Sequence, residues 1–218
     1  MPTPATCGTR TRTEPLRYRV LISLLAAGSV AAVVTGCSQE QDGNASPAVS
    51  ETSSSAKSNS KAPKVNNPLD ASKYLSSPCK VLTHEQSQSL GATAPGKPRT
   101  TGAVAERAGP ACSWGNRDTG IGFQIAFMTG NKGGLSDTYR GNKQGDFEYF
   151  EPTEVDGYPA VYADGTDERA DGYCALLVGI SDKLAILSGT SAYEGKQNSC
   201  GAAEKAASEA LKTLKGGA

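Results

Sequence analysis

One histidine, a dense run of carboxylates and six cysteines are the side chains in this 218-residue chain with chemistry to offer. His84 is the single candidate general base, since a Ser–His–Asp hydrolase needs a histidine. It opens the stretch "THEQSQSLG", where Thr83 and Gln86 have capping-box spacing, and no G-x-S-x-G elbow accompanies it. That context predicts a solvated histidine in a first helical turn. A lone histidine also excludes a His-based metal cluster. The carboxylates concentrate between Asp146 and Asp171, nine of them against one base, Arg169. Asp164, Asp167 and Asp171 would offer oxygen ligands to a weak calcium site, but their spacing is not that of an EF-hand loop. A pair from the same stretch would serve glycoside hydrolysis if two carboxylates faced one sugar. The simpler expectation is a solvated acidic loop between strands. Glycines in "TGNKGG" and "GIGFQI" match neither the phosphate-binding loop nor the dinucleotide fingerprint. No catalytic residue, no metal site and no cofactor is therefore expected.

Aromatic side chains give the candidate binding surface. Tyr149, Phe150, Tyr158 and Tyr162 would line a recognition groove, since tyrosine is frequent at binding surfaces. Burial within a sheet is the competing explanation for all four. Trp114, close to Cys112, is expected to pack against a disulfide.

The cysteines divide by position. Cys7 precedes an apolar run and Cys37 follows it. Cys79, Cys112, Cys174 and Cys200 lie in the remaining chain, more than 20 residues apart, whereas zinc sites pair cysteines two to four residues apart. An even count in an exported chain fits two disulfides, with three pairings open. The shortest loops favour Cys79–Cys112 and Cys174–Cys200.

The export reading comes from residues 1–36. Arg10, Arg12, Arg17 and Arg19 precede an apolar run from Val20 to Val34, too short to span a bilayer. A basic start, a short apolar centre and small residues at the end make a signal peptide. Its last residues, Val34-Thr35-Gly36-Cys37, resemble a lipobox, which implies that Cys37 is lipidated and becomes the mature N-terminus. Two or more acyl chains would anchor the protein stably without a spanning helix. Residues 37–68 are serine-rich and lack aromatic residues, so they are expected to form a disordered tether with a reach of roughly 30 Å.

Residues 69–218 suffice for one domain. They carry 15 Lys and Arg against 18 Asp and Glu, a balance that gives no reason to expect nucleic acid. The capping box predicts a short helix from His84 to Leu90, stopped by Gly91. "ATAPGKPRTTGAVAERAGPA" reads as a loop. "CSWGNRDTGIGFQIAFM" reads as a hairpin, with Ile121, Phe123, Ile125 and Phe127 on one face. "GGLSDTYRGNKQ" is a weak helix expected over that same face. "FEYFEPTEVDGYPAVYA" reads as two extended pieces broken near Pro152 and Asp156-Gly157. "CALLVGISDKLAILSG" is a hairpin turning near Ser181-Asp182-Lys183. The terminal segment places Ala203, Ala206, Ala207, Ala210, Leu211 and Leu214 on one helical stripe, capped by Asn198 or Ser199. Hairpins flanked by helices predict an α+β domain, a mostly antiparallel sheet with helices packed over it and two disulfides.

In this order "SPCKVLT", "CSW", "VDGYPAV", a cysteine-led hairpin and "SCGAAEKAASEAL" resemble the actinobacterial lipoprotein family known as domain of unknown function 3558. The likeness spans about Pro68 to Leu214. It implies a cell-envelope lipoprotein with two disulfides and brings no catalytic residue with it.

The functional expectation is a non-enzymatic binding or interaction module on the outer face of the cytoplasmic membrane. Its partners would be the membrane, through the lipid anchor, and an envelope protein, lipid or wall ligand. The alternative is a cell-wall hydrolase using carboxylates of the 146–171 stretch.

Overall fold

The structure, a computed structural model, describes residues 61–216. The expected signal peptide, Cys37 and the expected tether as far as residue 60 lie outside the described residues.

Seven strands form one antiparallel sheet. They are β1 (Lys97–Arg99), β2 (Ala111–Gly115), β3 (Gly122–Phe127), β4 (Tyr149–Val155), β5 (Tyr158–Asp164), β6 (Cys174–Ser181) and β7 (Leu184–Ser191). Their spatial order is β1-β2-β3-β7-β6-β5-β4. Three hairpins supply β2–β3, β4–β5 and β6–β7, and the β3–β7 pairing joins the halves. The helices are α1 (Ser72–Leu75), α2 (His84–Ser89), α3 (Ala103–Arg107), α4 (Leu135–Gln144) and α5 (Gly195–Leu214), with 3-10 turns at Pro78–Val81 and Arg169–Asp171. The expected α+β architecture is present.

Alternation along the strands sets two faces. One buries Phe123, Ile125, Phe127, Leu176, Val178, Ile180 and Ile186 beneath α5 and the segment around α1. Complete burial contributes about 1.5–3 kcal/mol for each such side chain. The predicted small-residue stripe of α5 lies on this face, with Ala203, Ala206, Ala207, Ala210 and Leu211 buried and Leu214 packed at its margin. Alanines bring the helix within hydrogen-bonding distance of the strands. Ser188 Oγ donates to Ala203 O at 2.7 Å, and Thr190 Oγ1 donates to Ser199 O at 3.1 Å.

The opposite face holds a smaller cluster of Leu135, Val161, Ala163 and Leu177, with Tyr139, Phe147 and Phe150 against it. Leu135 belongs to α4, so the predicted weak helix exists but covers the face opposite Phe123, Ile125 and Phe127. Ile121, grouped with those residues from alternation, precedes β3 and is half-buried.

Four further boundaries differ from expectation. The Gly, Pro and Ala-rich stretch read as a loop contains β1 and α3, both short and largely exposed. Pro152 does not break β4: it pairs with Val161 inside a continuous strand. β4 is the sheet edge, where a residue without an N–H loses no ladder bond on its open side. Helix α5 begins at Gly195, so Asn198 and Ser199 lie within it rather than capping it. Packing also starts before the predicted boundary at Leu69. Ala62 joins the smaller cluster and Val65 the larger one. The Val65 N–H donates to Asp182 Oδ1 at 3.1 Å, and Tyr158 Oη donates to Asn67 O at 3.0 Å. The core residues fall within the unit Ser53–Ala218, which therefore carries its own fold.

Two disulfides brace this unit, Cys79–Cys112 and Cys174–Cys200, as the shortest loops favoured. The first ties the 3-10 turn before α2 to β2. The second ties the start of β6 to α5.

Candidate functional site

Helix α5 is buried on one side and bordered by hollows on the other. A depression of about 820 Å³ lies between the end of α2, the β2–β3 loop and the β7–α5 link, with Leu90, Ile121, Phe123, Tyr193 and Lys205 in its lining. A second, of about 480 Å³, runs along α5 toward the β4–β5 turn past Val155, Asp156 and Ser208. A third, also of about 480 Å³, lies on the β5 side of the helix beside Tyr162 and Cys200. Gly201 borders all three, and a Cβ added there would meet no atom within 4 Å. The hollows therefore meet over the second turn of α5, at a residue with no side chain to fill them.

The wall formed by the β7–α5 link is held in an uncommon conformation. Ala192 has φ +62°, where an L side chain costs roughly 1–2 kcal/mol. Its neighbour is pinned, since the Tyr193 N–H donates to Gly172 O at 3.2 Å. Gly172 has φ +91°, and a Cβ there would lie 1.9 Å from Tyr193 O. This close approach requires glycine. Ala192 thus keeps its conformation because the next residue is clamped, and strain of this kind is stored preferentially at functional sites.

The acidic stretch has a structural use near the start of α5. Arg169 is 4% exposed. Its Nη1 lies 2.8 Å from Glu151 Oε1, its Nη2 2.6 Å from Asp167 Oδ2, and its Nε 2.7 Å from Asp167 Oδ1. Lys196 of α5 adds a 3.2 Å contact to Glu151. Ser199 Oγ donates to Arg169 O, which fastens the cluster to the helix. Hydrogen bonds from Arg169 hold the Asp167 carboxyl down at about 2, and also lower that of Glu151. The same partners raise the guanidinium above its ordinary value. Both carboxylates are therefore ionised at neutral pH. Asp164 instead accepts from the Gly165 N–H, and Asp167 is committed to Arg169. Among the described residues, no group of three His, Cys, Asp or Glu side chains is placed to hold a metal ion. His84 is exposed at the start of α2.

The four candidate aromatics do not share one groove. Tyr149 and Tyr158 are buried. Phe150 points to the opposite face, where its ring meets Tyr139 edge-on at 4.9 Å. Tyr162 alone borders a hollow beside α5. Its hydroxyl donates to Glu204 Oε2 at 3.1 Å, and burial first, then that carboxylate, push its ionisation upward. Neighbouring residues of a strand point to opposite faces, and β4 and β5 are both strands. Alternation could separate Tyr149 from Phe150. The burial of Tyr149 under Arg169 had no local signal.

The "VDGYPAV" motif is structural. Asp156 (φ +49°) and Gly157 (φ +85°) make the tight turn between β4 and β5. Ser208 Oγ donates to Asp156 Oδ2 at 2.7 Å and Lys215 Nζ to Asp156 O at 3.1 Å, clipping the turn to α5. Trp114 is buried as expected, stacked on Phe123 at 5.4 Å. The hollows, by contrast, are lined by residues from four distant segments, and Gly201 looks in sequence like a weakness in a helix.

A family model described as "Protein of unknown function (DUF3558)" matches residues 32–213, and the chain belongs to that family. No curated protein and no solved structure matches it.

Proposed function

We propose that this DUF3558 chain is a lipid-anchored, extracytoplasmic binding module that takes its ligand in the hollows around Gly201. The observation that carries the reading is their convergence on α5. A side-chain-free position sits where three depressions meet, beside a strained and clamped loop. Apolar surface from Leu90 and Ile121 borders polar groups from Lys205 and Tyr193, the mixture that recognition sites present. The anchor rests on the basic, apolar and small-residue pattern ending at Cys37. Disulfide bracing of α5 supports a preformed site in an oxidising compartment.

A non-enzymatic role is favoured over glycoside hydrolysis by one pair of groups. Glu151 and Asp167 approach each other across Arg169, which holds both ionised, so neither is a proton donor at neutral pH.

The test uses the full chain in its native host. A photo-crosslinking residue at Gln197, on the rim of the hollows, should capture a discrete adduct. The same residue at Pro98 in β1 should not. Adding Gly201→Trp should abolish the Gln197 adduct while both disulfides still form. Equal adducts at both positions, or indifference to Gly201→Trp, would overturn the site. Acyl labelling that persists in Cys37→Ala would overturn the anchor.

A further inference from the structure

Charge is segregated between the two ends of the sheet. At one end lie the termini of β1 and β3, the start of β2, the β6–β7 turn and the chain entering from residue 61. Exposed there are Lys61, Lys64, Arg99, Arg107, Lys132 and Lys183. Several contacts fix this grouping. The Val65 N–H binds Asp182 in the β6–β7 turn. Gly134 packs on Lys183 and Leu184, and Gly130 packs on the Arg107 carbonyl. Arg99 pairs with Ala111. Among the described residues, none of these six cations forms a salt bridge. Of the acidic groups at this end, Asp70 accepts from Ser72, Asp182 from Val65 and Asp156 from Ser208, and Asp137 pairs with Arg140, leaving Glu106 and Glu154. At the other end stand Glu148, Asp164, Asp167, Glu168, Asp171 and Glu194.

Val104 adds an independent feature. It lies on α3 at the basic end and is 55% exposed, the most exposed of the large hydrophobic side chains described. Arg107 follows it on the same short helix, and Arg99 precedes the helix. An apolar side chain between two arginines in sequence, with Glu106 also on its helix, suits an interface that is anionic at its surface and apolar just beneath.

We propose that this basic end docks on an anionic phospholipid bilayer, with Val104 entering the headgroup boundary. The chain from Cys37 enters the domain here, so a lipid at Cys37 would present this end to the membrane. That orientation rests on the anchor proposed above, whereas the affinity rests on the basic groups and on Val104. The hollow lined by Ile121 and Tyr193 then opens toward the β2–β3 and β7–α5 loops, away from the bilayer, while the one beside Ser208 runs toward the β4–β5 turn at the docking end.

The experiment uses the unlipidated unit Ser53–Ala218, which holds its own core and both disulfides. It is sedimented with vesicles of phosphatidylcholine containing phosphatidylglycerol, and with vesicles of phosphatidylcholine alone. Binding should require the anionic lipid and should fall away at high salt. Each basic group near the surface accounts for about fivefold in affinity. The double substitution Arg99→Glu, Arg107→Glu should therefore weaken binding at least tenfold, and Val104→Asp should weaken it as well. Arg117→Glu, in the β2–β3 loop at the far end, should leave binding unchanged. Absent binding to anionic vesicles would overturn the proposal. So would equal losses from Arg117→Glu, or equal competition by a soluble polyanion such as dextran sulfate. An unacylated Cys37 would refute the anchor and leave the vesicle result standing.

Discussion

The guanidinium carbon of Arg169 lies 3.7 Å from the centroid of the Tyr149 ring. The ring faces the cation from one side while Asp167 and Glu151 take its N–H groups in the plane. One buried side chain thus joins β4, the 3-10 turn before β6 and the first turns of α5.

Arg169→Ala should lower stability by about 2–3 kcal/mol, because packing is lost together with the ion pairs. Arg169→Met should recover part of the loss by refilling the space over Tyr149. Chemical denaturation of the two variants checks this. Equal stability of wild type and Arg169→Ala would show that the cluster contributes nothing.

The same cluster makes stability depend on acid. The folded-state value of Asp167, about 2, lies below the ordinary unfolded value of roughly 3.9. A depressed carboxyl contributes stability that is complete above its unfolded value and lost as pH falls toward the folded one. Glu151 shifts in the same direction. Melting temperature should therefore fall steeply between about pH 4 and pH 2, and less steeply in Arg169→Met. Parallel pH profiles for the two proteins would contradict this assignment.

Removing either disulfide by paired alanine substitution should cost on the order of 3.5 kcal/mol, since the bridged residues are 33 and 26 positions apart. Loss of Cys174–Cys200 should also weaken capture from Gln197, because that bridge holds α5 to β6. Loss of Cys79–Cys112 should affect stability more than capture. Urea titration and the crosslinking assay read the two effects separately.

Gly96→Ala should destabilise by about 1–3 kcal/mol. Its Cβ would lie 2.5 Å from both Cys112 Sγ and Trp114 Nε1, each fixed by its neighbours. Tryptophan fluorescence should shift as Trp114 is displaced. An unchanged spectrum with unchanged stability would show that the segment before β1 yields freely.

Elements defined by short-range patterns were legible in the sequence. The capping box at Thr83 and Gln86 forms with both of its hydrogen bonds. The three hairpins and the alanine stripe also follow from local spacing. What the local pattern misses is decided across the fold. Gln86 bonds Glu209 and Thr213 of α5 besides closing its own box, which no window around residue 86 contains. Pro152 is tolerated because β4 is the outermost strand. α4 covers the unexpected face because Leu135 finds Val161, Ala163 and Leu177 there. The candidate site was the least legible part. Its lining comes from separated segments, and its central feature is an absent side chain.

The pairing of Gly122 with Ser191 sets an order of completion. β3 emerges early, yet its second neighbour is the last strand to be made. Until then Phe123, Ile125 and Phe127 belong to a ribbon with one bare margin, the kind of surface that sticks to other chains. A nascent chain halted before Leu184 would contain most of the domain and still be unable to close it. Productive maturation of this protein is thus a matter of keeping the early hairpin apart from its neighbours until about the final sixth of the polypeptide arrives.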